Sequence, residues 1–151
     1  MGRFKGQEVY SIDNKGRVAI PMKMRKLVSP DAKDTFTLTR GFDKCIHLFP
    51  NDEWEQFAAQ FDEVDVYSKE GRFFLDIINS WSEESTLDSQ QRISIPKRLL
   101  DYAGIQKDAM FIGMNKYIAI WNPEEHEKYI SALDTSYEEI AQKVMSKGKN
   151  E

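Results

Sequence analysis

The stretch Asp13-Asn14-Lys15-Gly16-Arg17-Val18-Ala19-Ile20-Pro21 decides the fold of this chain, because its pattern occurs twice. The second copy is Asp88-Ser89-Gln90-Gln91-Arg92-Ile93-Ser94-Ile95-Pro96. Both copies have the order Asp-x-x-x-Arg, a β-branched residue, a small residue, Ile and Pro, and they lie 75 residues apart. Because a fixed internal period is typical of a duplicated structural unit, we predict two copies of one unit.

The first copy predicts a tight turn between two strands. β-Branched and aromatic residues, which favour strands, flank the turn on both sides. Asp13 can accept N–H bonds from the residues that follow it, and Gly16 tolerates a positive φ. We therefore expect Asp13 and Gly16 to support a rigid turn that presents Lys15 and Arg17. The alternative is an ordinary hairpin in which Asp13 and Arg17 only pair with each other.

Each copy continues with the same series of elements. Proline at the first helical position predicts a short helix directly after each motif, and Gly104 is typical of the end of the second one. Strand-forming runs at hairpin spacing follow at 34–40 with 45–49, and at 108–114 with 117–121. Amphipathic helices are then predicted to start near Pro50, Tyr67, Pro123 and Thr135.

These elements predict an α+β fold. A β-rich unit of about 45 residues is close to the lower size limit for unaided folding. Two copies are therefore expected to interleave their strands in one pseudo-twofold, barrel-like core flanked by amphipathic helices, with both Asp-x-x-x-Arg turns on one rim. We expect residues 1–66 to form the first repeat with its helix, 67–82 the connecting helix, and 83–151 the second repeat with the C-terminal helices.

The composition is that of a globular intracellular protein. Of the 151 residues, 40% are apolar and 30% are charged, and no apolar run has the length of a signal peptide or a membrane span. Cys45, the single cysteine, lies in an apolar run and is expected to be a buried thiol in a reducing compartment. We therefore expect a cytoplasmic protein with no membrane partner.

Catalytic chemistry is not indicated by any motif. The sequence has no Gly-rich phosphate loop, no metal-spaced His/Cys set and no Ser/His/Asp order. Asp13 beside Arg17 would be a poor general base, because a neighbouring cation lowers the pKa of a carboxyl group. We also expect His126 to be a packing residue. The sequence therefore predicts no enzyme, no catalytic residue, no metal, no cofactor and no small-molecule substrate.

The distribution of charge favours nucleic acid. Residues 1–49 carry ten Lys/Arg and five Asp/Glu, whereas residues 50–151 carry eleven and twenty. Such asymmetry is typical of an interaction surface, although a solvated basic face is the alternative. The arginine fork suits guanine and phosphate, and β-ribbons and loops can enter the major groove. We therefore predict that double-stranded DNA is contacted by Arg3, Lys5, Lys15, Arg17, Lys23 and Arg25.

The duplicated motif also resembles that of a known family. Asp13-x-Lys15-Gly16-Arg17 with Ile20-Pro21, repeated as Asp88-x-x-x-Arg92 with Ile95-Pro96 and Tyr102-Ala103-Gly104-Ile105, is similar to the MraZ family, bacterial relatives of the AbrB-like swapped-hairpin DNA-binding domains. The resemblance covers nearly the whole chain. It implies a tandem swapped-hairpin fold whose turns face DNA. It further implies a ring-shaped homo-oligomer, associated with the nucleoid, that regulates transcription from direct repeats upstream of a cell-division and cell-wall gene cluster.

The second copy departs from the richer pattern, because Ser89-Gln90-Gln91 replaces Asn14-Lys15-Gly16 and so removes a cation and a glycine. A positive φ at Gln91 would cost about 1–2 kcal/mol. The role of Asp88 and Arg92 therefore stays open between a DNA contact and support of the barrel or of a subunit contact.

Two further alternatives concern partners. Self-association would let several turns engage successive DNA repeats at a high effective concentration. The aromatic side chains that could form the subunit contacts, or could instead fill the chain's own core, are Trp54, Phe73, Phe74 and Trp81. The alternative function is a protein-interaction module, such as an antitoxin-like barrel whose acidic C-terminal helices cover a partner.

Overall fold

The computed structural model describes residues 2–149, so Met1, Asn150 and Glu151, the ends of the two predicted repeats, lie outside the described residues. Within this range the strands are Gln7–Ser11 (β1), Arg17–Ala19 (β2), Thr35–Arg40 (β3), Ile46–Pro50 (β4), Glu83–Thr86 (β5), Arg92–Ser94 (β6), Asp108–Met114 (β7) and Tyr117–Trp121 (β8). The α-helices described are Met22–Arg25 (α1), Asn51–Ala58 (α2), Lys69–Ser80 (α3), Lys97–Ala103 (α4), Pro123–Ser131 (α5) and Tyr137–Lys149 (α6).

Strands of the two copies pair with each other. One antiparallel sheet has the order β1-β7-β8-β4-β3-β5, and β2 pairs with β6 in a separate two-stranded ribbon. Exchanging each strand for its equivalent in the other copy reverses this order but keeps every neighbour, which indicates a pseudo-twofold axis between β4 and β8. The predicted α+β class and the interleaved strands are confirmed. The hydrogen-bonded sheet is open at β1 and β5, so a closed barrel is not confirmed.

The core lies between the six-stranded sheet and the ribbon. Val18 and Ile93 face each other at the centre of the ribbon and are almost fully buried. They belong to the same buried cluster as Phe36 of β3 and Phe111 of β7. The ribbon thus has one face in the core and one face towards solvent, as alternation along a strand requires.

The helix ends follow from local capping chemistry. Gly104 takes a left-handed conformation, with φ +69°, directly after α4, as predicted for a C-terminal glycine. Helix α1 has no such glycine and spans only four residues. Helix α6 begins at Tyr137 rather than near Thr135, because the Ser136 hydroxyl accepts the N–H of Glu139 at 3.2 Å and caps the helix.

The outer face of the sheet is covered by α2 and α5. The Phe49 ring packs on Trp54 and the Trp121 ring packs on His126, each pair with centroids 5.3 Å apart. His126 is therefore a packing residue, as predicted. Cys45 is buried beneath this layer, which confirms the prediction of a core thiol. Among residues 2–149, no helix is both long and apolar enough to cross a membrane.

Candidate nucleic-acid interface

The first Asp-x-x-x-Arg turn is held by a set of short hydrogen bonds. Gly16 donates its N–H to the Asp13 carbonyl at 3.0 Å and has φ +81°. The Asp13 Oδ1 atom accepts the N–H groups of Lys15 and Arg17, each at 2.9 Å. The predicted tight turn is confirmed. The strands on its two sides do not form an ordinary hairpin, because β1 pairs with β7 and β2 pairs with β6.

The second turn has the same construction. Asp88 Oδ1 accepts the N–H of Gln90 at 2.8 Å and that of Arg92 at 2.9 Å. Gln91 takes φ +62°, in the left-handed region that glycine occupies in the first turn. The backbone of both turns is therefore fixed by the aspartate, even where the glycine is absent.

The side chain of Gln91 changes the ribbon slightly. A Cβ atom placed on Gly16 would lie 2.8 Å from the Ile95 carbonyl oxygen, closer than side chains normally approach. Ile95 donates its N–H to the carbonyl of Gly16, in the first turn, at 2.8 Å. The equivalent bond from Ile20 to Gln91 is 3.4 Å long. The second turn thus accommodates its Cβ with a longer ribbon hydrogen bond.

The two turns place their charged side chains on one surface. Arg17 donates from Nε to Asp13 Oδ2 at 2.7 Å, and Arg92 donates from Nε to Asp88 Oδ2 at 2.9 Å. The Arg92 Nη1 atom also lies 3.6 Å from Asp13 Oδ2, so it joins the two copies. We call this solvent-facing side of the β2–β6 ribbon, made of Asp13, Arg17, Asp88 and Arg92, the ribbon face.

The two arginines of the ribbon face are not equivalent. The side chain of Arg17 is 34% exposed and that of Arg92 is 24% exposed. Among the described residues, the side chain of Arg17 has a protein partner only at its Nε, so both terminal nitrogens are available. Arg92 uses Nε on one carboxylate and Nη1 on the other. Arg17 therefore offers a free fork, whereas Arg92 offers one terminal nitrogen.

Both aspartates stay ionised at neutral pH. The backbone N–H of Arg17 is the main cause that lowers the pKa of Asp13 to about 2; desolvation opposes it, and the Arg17 side chain and the Lys15 N–H lower it further. The backbone N–H of Arg92 is the main cause that lowers the pKa of Asp88. The carboxylates thus orient both guanidinium groups over the whole neutral range.

Three of the other predicted cations lie next to the ribbon face. Lys15 is exposed at the tip of the first turn. Ile20 donates its N–H to the carbonyl of Gln91 in the second turn, and helix α1 begins two residues after Ile20. Helix α1 therefore lies beside the second turn, and it carries the exposed Lys23. Arg25 on the same helix is half-buried and donates from Nη1 to the Ile20 carbonyl at 3.4 Å.

Arg3 and Lys5 are exposed but lie elsewhere. They flank Phe4, which pairs with Asn115 at the turn between β7 and β8. The first Asp-x-x-x-Arg turn lies at the opposite end of β7. At a rise of about 3.3 Å per residue, the two positions are on the order of 25 Å apart. The structure therefore does not bring Arg3 and Lys5 together with the ribbon face.

One cation near the ribbon face was missed by the sequence analysis. Lys97 starts α4 two residues after Ile95, which is bonded to the first turn, and its side chain is 86% exposed and 2.9 Å from Asp101. It was missed because it belongs to the other copy in sequence, and only the exchange of strands brings it to the first turn. Within residues 2–149, no three His, Cys, Asp or Glu side chains are grouped to hold a metal ion.

Comparison with known proteins agrees with this arrangement. The family model described as "MraZ protein, putative antitoxin-like" matches residues 4–77 and 81–147. The chain belongs to the MraZ family. Each of the two matched ranges contains one Asp-x-x-x-Arg turn, so the match to the MraZ family model also detects the duplication.

Several MraZ relatives share almost the full length of the chain. The protein named Transcriptional regulator MraZ of Natranaerobius thermophilus is 36% identical over 142 residues, which are 94% of this chain and 96% of the relative. Its namesake in Alkaliphilus oremlandii is 37% identical over 145 residues, 96% of this chain and 99% of the relative. The namesake in Halothermothrix orenii is 36% identical over 138 residues, 91% and 94% of the two chains.

Proposed function

We propose that this MraZ chain is a sequence-specific DNA-binding regulator of transcription, and that its ribbon face contacts the DNA. The observation that carries the proposal is the state of Arg17, whose Nε is fixed on Asp13 while its terminal nitrogens have no protein partner in the described chain. A fixed guanidinium fork can make two parallel hydrogen bonds to guanine or to phosphate. The names of the MraZ relatives support the same function.

Arg17 and Lys15 have different tasks in this proposal. Arg17 is rigid and reads a base edge, because its rotamer is set by the ion pair with Asp13. Lys15 is an exposed point charge at the tip of the turn and contacts a phosphate. Arg92 is a positioning residue, since it bridges Asp88 and Asp13 and so holds the carboxylate that orients Arg17.

The ribbon face of one subunit carries no net charge, because its two aspartates offset its two arginines. A single copy therefore gains little sequence-independent affinity from phosphates. Several copies on a ring-shaped homo-oligomer would engage direct DNA repeats together, which raises the effective concentration of each turn. The proposed targets are direct repeats upstream of a cell-division and cell-wall gene cluster, and the proposed location is the cytoplasm, at the nucleoid.

The remaining parts of the chain serve this surface. Residues 1–66 and 83–151, joined by 67–82, would act as two repeats of one swapped-hairpin barrel, which is supported by the burial of Val18 and Ile93 in the shared core. Lys23, Arg25 and Lys97 would add contacts on either side of the ribbon, whereas Arg3 and Lys5 would need DNA that extends well beyond it. No catalytic residue, cofactor or small-molecule substrate is part of the proposal.

The test begins with a footprint of the purified protein on genomic DNA, followed by fluorescence anisotropy on the recovered site. We expect Arg17→Ala to weaken specific binding by about tenfold to a hundredfold, the effect of losing one bidentate base contact. Arg17→Lys keeps the charge but lacks the fork, and it should show a similar loss. Lys15→Ala should lower the slope of log affinity against log salt by about 0.9.

Lys128→Ala, on helix α5 at the outer face of the sheet, is the matched control and should leave both specific affinity and salt slope unchanged. Circular dichroism and molecular mass verify that each variant is folded and assembled. Undiminished specific binding by Arg17→Ala would remove this residue from the site and refute the proposal.

An antitoxin-like protein-interaction module is the second candidate. It is favoured by exposed apolar side chains on the C-terminal helices, among them Tyr129, Ile130 and Val144. It predicts that the genomic footprint shows no protected site although the protein is folded and assembled.

A further inference from the structure

An apolar groove lies between α3 and the turn that joins β3 to β4. Phe42, at 70% exposure, and Phe73, at 68%, are far more exposed than aromatic side chains usually are. We call this feature the α3 groove; it is lined by Arg40, Gly41, Phe42, Phe73, Phe74, Ile77, Ile78 and Tyr102. Contiguous exposed apolar surface of this kind marks a place where another chain binds.

Arg40 is the charged side chain among those that line the α3 groove. Its guanidinium lies 4.3 Å from the Tyr102 ring centroid and 4.8 Å from that of Trp81. Although Arg40 is half-buried, no carboxylate and no hydrogen-bond acceptor of the described residues pairs with its guanidinium. A guanidinium has five N–H donors, and a partly desolvated one favours a carboxylate partner. The groove thus fits a segment that combines apolar side chains with an acidic one.

Helix α6 has this combination. Its apolar residues Tyr137, Ile140, Ala141 and Val144 have the i, i+3, i+4, i+7 spacing of a single stripe, and Glu138 lies beside that stripe. Tyr137 is 80% exposed and Val144 is 60% exposed. Within the described chain no other helix or strand packs extensively on α6. The helix has 13 residues, and isolated helices shorter than about 12–15 residues are marginal in water, so α6 needs a surface to pack on.

We propose that α6 of one copy of this chain docks in the α3 groove of a second copy, with Glu138 paired to Arg40. No α6 residue lines the groove of its own chain. The two surfaces are different parts of the molecule, so the contact is head-to-tail, and a head-to-tail contact produces a closed ring when its rotation closes. This inference rests on the homo-oligomer of the proposed function and identifies the contact that builds it.

The test is a charge exchange followed by native mass spectrometry and light scattering. Glu138→Arg and Arg40→Glu should each raise the concentration at half-assembly by about tenfold or more, because each places like charges together at the contact. The double variant restores opposite charges and should recover assembly. Glu139→Arg is the matched control, because the same charge change lies on the opposite face of α6, and it should assemble as the wild type does.

A second measurement distinguishes docking between copies from docking within one chain. In oxidising buffer, Phe73→Cys combined with Val144→Cys should form a ladder of covalent oligomers on a denaturing gel, and neither single variant should. A cross-linked species of monomer mass would overturn the proposal, as would a monomeric wild type or equal effects of Glu138→Arg and Glu139→Arg.

Failure of this inference is separable from failure of the proposed DNA binding. If Glu138→Arg leaves assembly unchanged while Arg17→Ala loses DNA, the contact is wrong and the ribbon face is right. If assembly responds as expected but no variant or wild type binds DNA specifically, the contact is right and the regulator function is wrong.

Discussion

Replacing Gln91 with glycine should stabilise the protein. Gln91 has φ +62°, whereas Gly16 has φ +81° at the equivalent place in the other copy. An L-residue in the left-handed region costs roughly 1–2 kcal/mol, and that cost disappears in glycine. The replacement also makes the unfolded chain more flexible, which costs about 0.5–1 kcal/mol. The net expectation is a gain of about 0–1.5 kcal/mol, centred near 0.75 kcal/mol.

The reverse change is expected to be more damaging. In Gly16→Ala the new Cβ atom would meet both an unfavourable φ and the Ile95 carbonyl oxygen at 2.8 Å. The strained φ costs about 1–2 kcal/mol. The less flexible unfolded chain returns about 0.5–1 kcal/mol, and the close contact adds a further cost. Gly16→Ala should therefore lose about 1 kcal/mol or more, whereas Gln91→Gly should gain stability.

Urea denaturation at one fixed protein concentration measures both effects, since assembly makes stability depend on concentration. Gln90→Gly is the matched control, because Gln90 lies in the same turn but not in the left-handed region. It should lose about 0.5–1 kcal/mol. If Gln91→Gly destabilises the protein as much as Gln90→Gly does, strain at this position does not exist and the reasoning is refuted.

Three further predictions concern charge and burial. Asp13→Asn should weaken specific DNA binding by about tenfold and more than Asp88→Asn does, because Asp13 pairs with arginines of both copies; equal losses in anisotropy titrations would contradict this. Burial lowers the pKa of His47 from 6.5 to about 4, so as the pH falls the unfolded state binds a proton before the folded state does. The free energy of unfolding should therefore decrease by up to about 3 kcal/mol as the pH falls from 6.5 to 4. Urea titrations of His47→Gln should lack this slope, with His126→Gln as the control that keeps it. Burial raises the pKa of the Cys45 thiol to about 12, so Ellman's reagent should react only after unfolding, and rapid labelling of the native protein would refute its burial.

The turns were predictable because their determinants are local. In each turn the aspartate side chain accepts the N–H groups of the residues two and four positions later, and these bonds determine the path of the backbone through the turn. The same residue pattern is visible in the sequence of both copies. The hairpins β3–β4 and β7–β8 and the glycine cap at Gly104 were predictable for the same reason. In each case the interacting groups are close in sequence, so residue type determines the contact.

The pairing of strands between copies was less accessible. Val18 of β2 pairs with Ile93 of β6, but two β-branched residues would also fit each other in other registers. The positions of Arg3, Lys5 and Lys97 relative to the first turn depend on that exchange of strands. The stacking of Arg40 on Tyr102 joins residues that are distant in sequence, and no local pattern indicated it.

Strand exchange also has a consequence for synthesis on the ribosome. Strand β1 ends at Ser11, but its partner β7 starts only at Asp108. One of the two partners of β4, strand β8, is likewise synthesised much later, from Tyr117. In an N-terminal half that has just emerged, only β3 and β4 can pair with each other, while β1 and β2 lack their partners, so the half cannot complete a stable core. A prematurely terminated product would be degraded rather than compete with the intact protein.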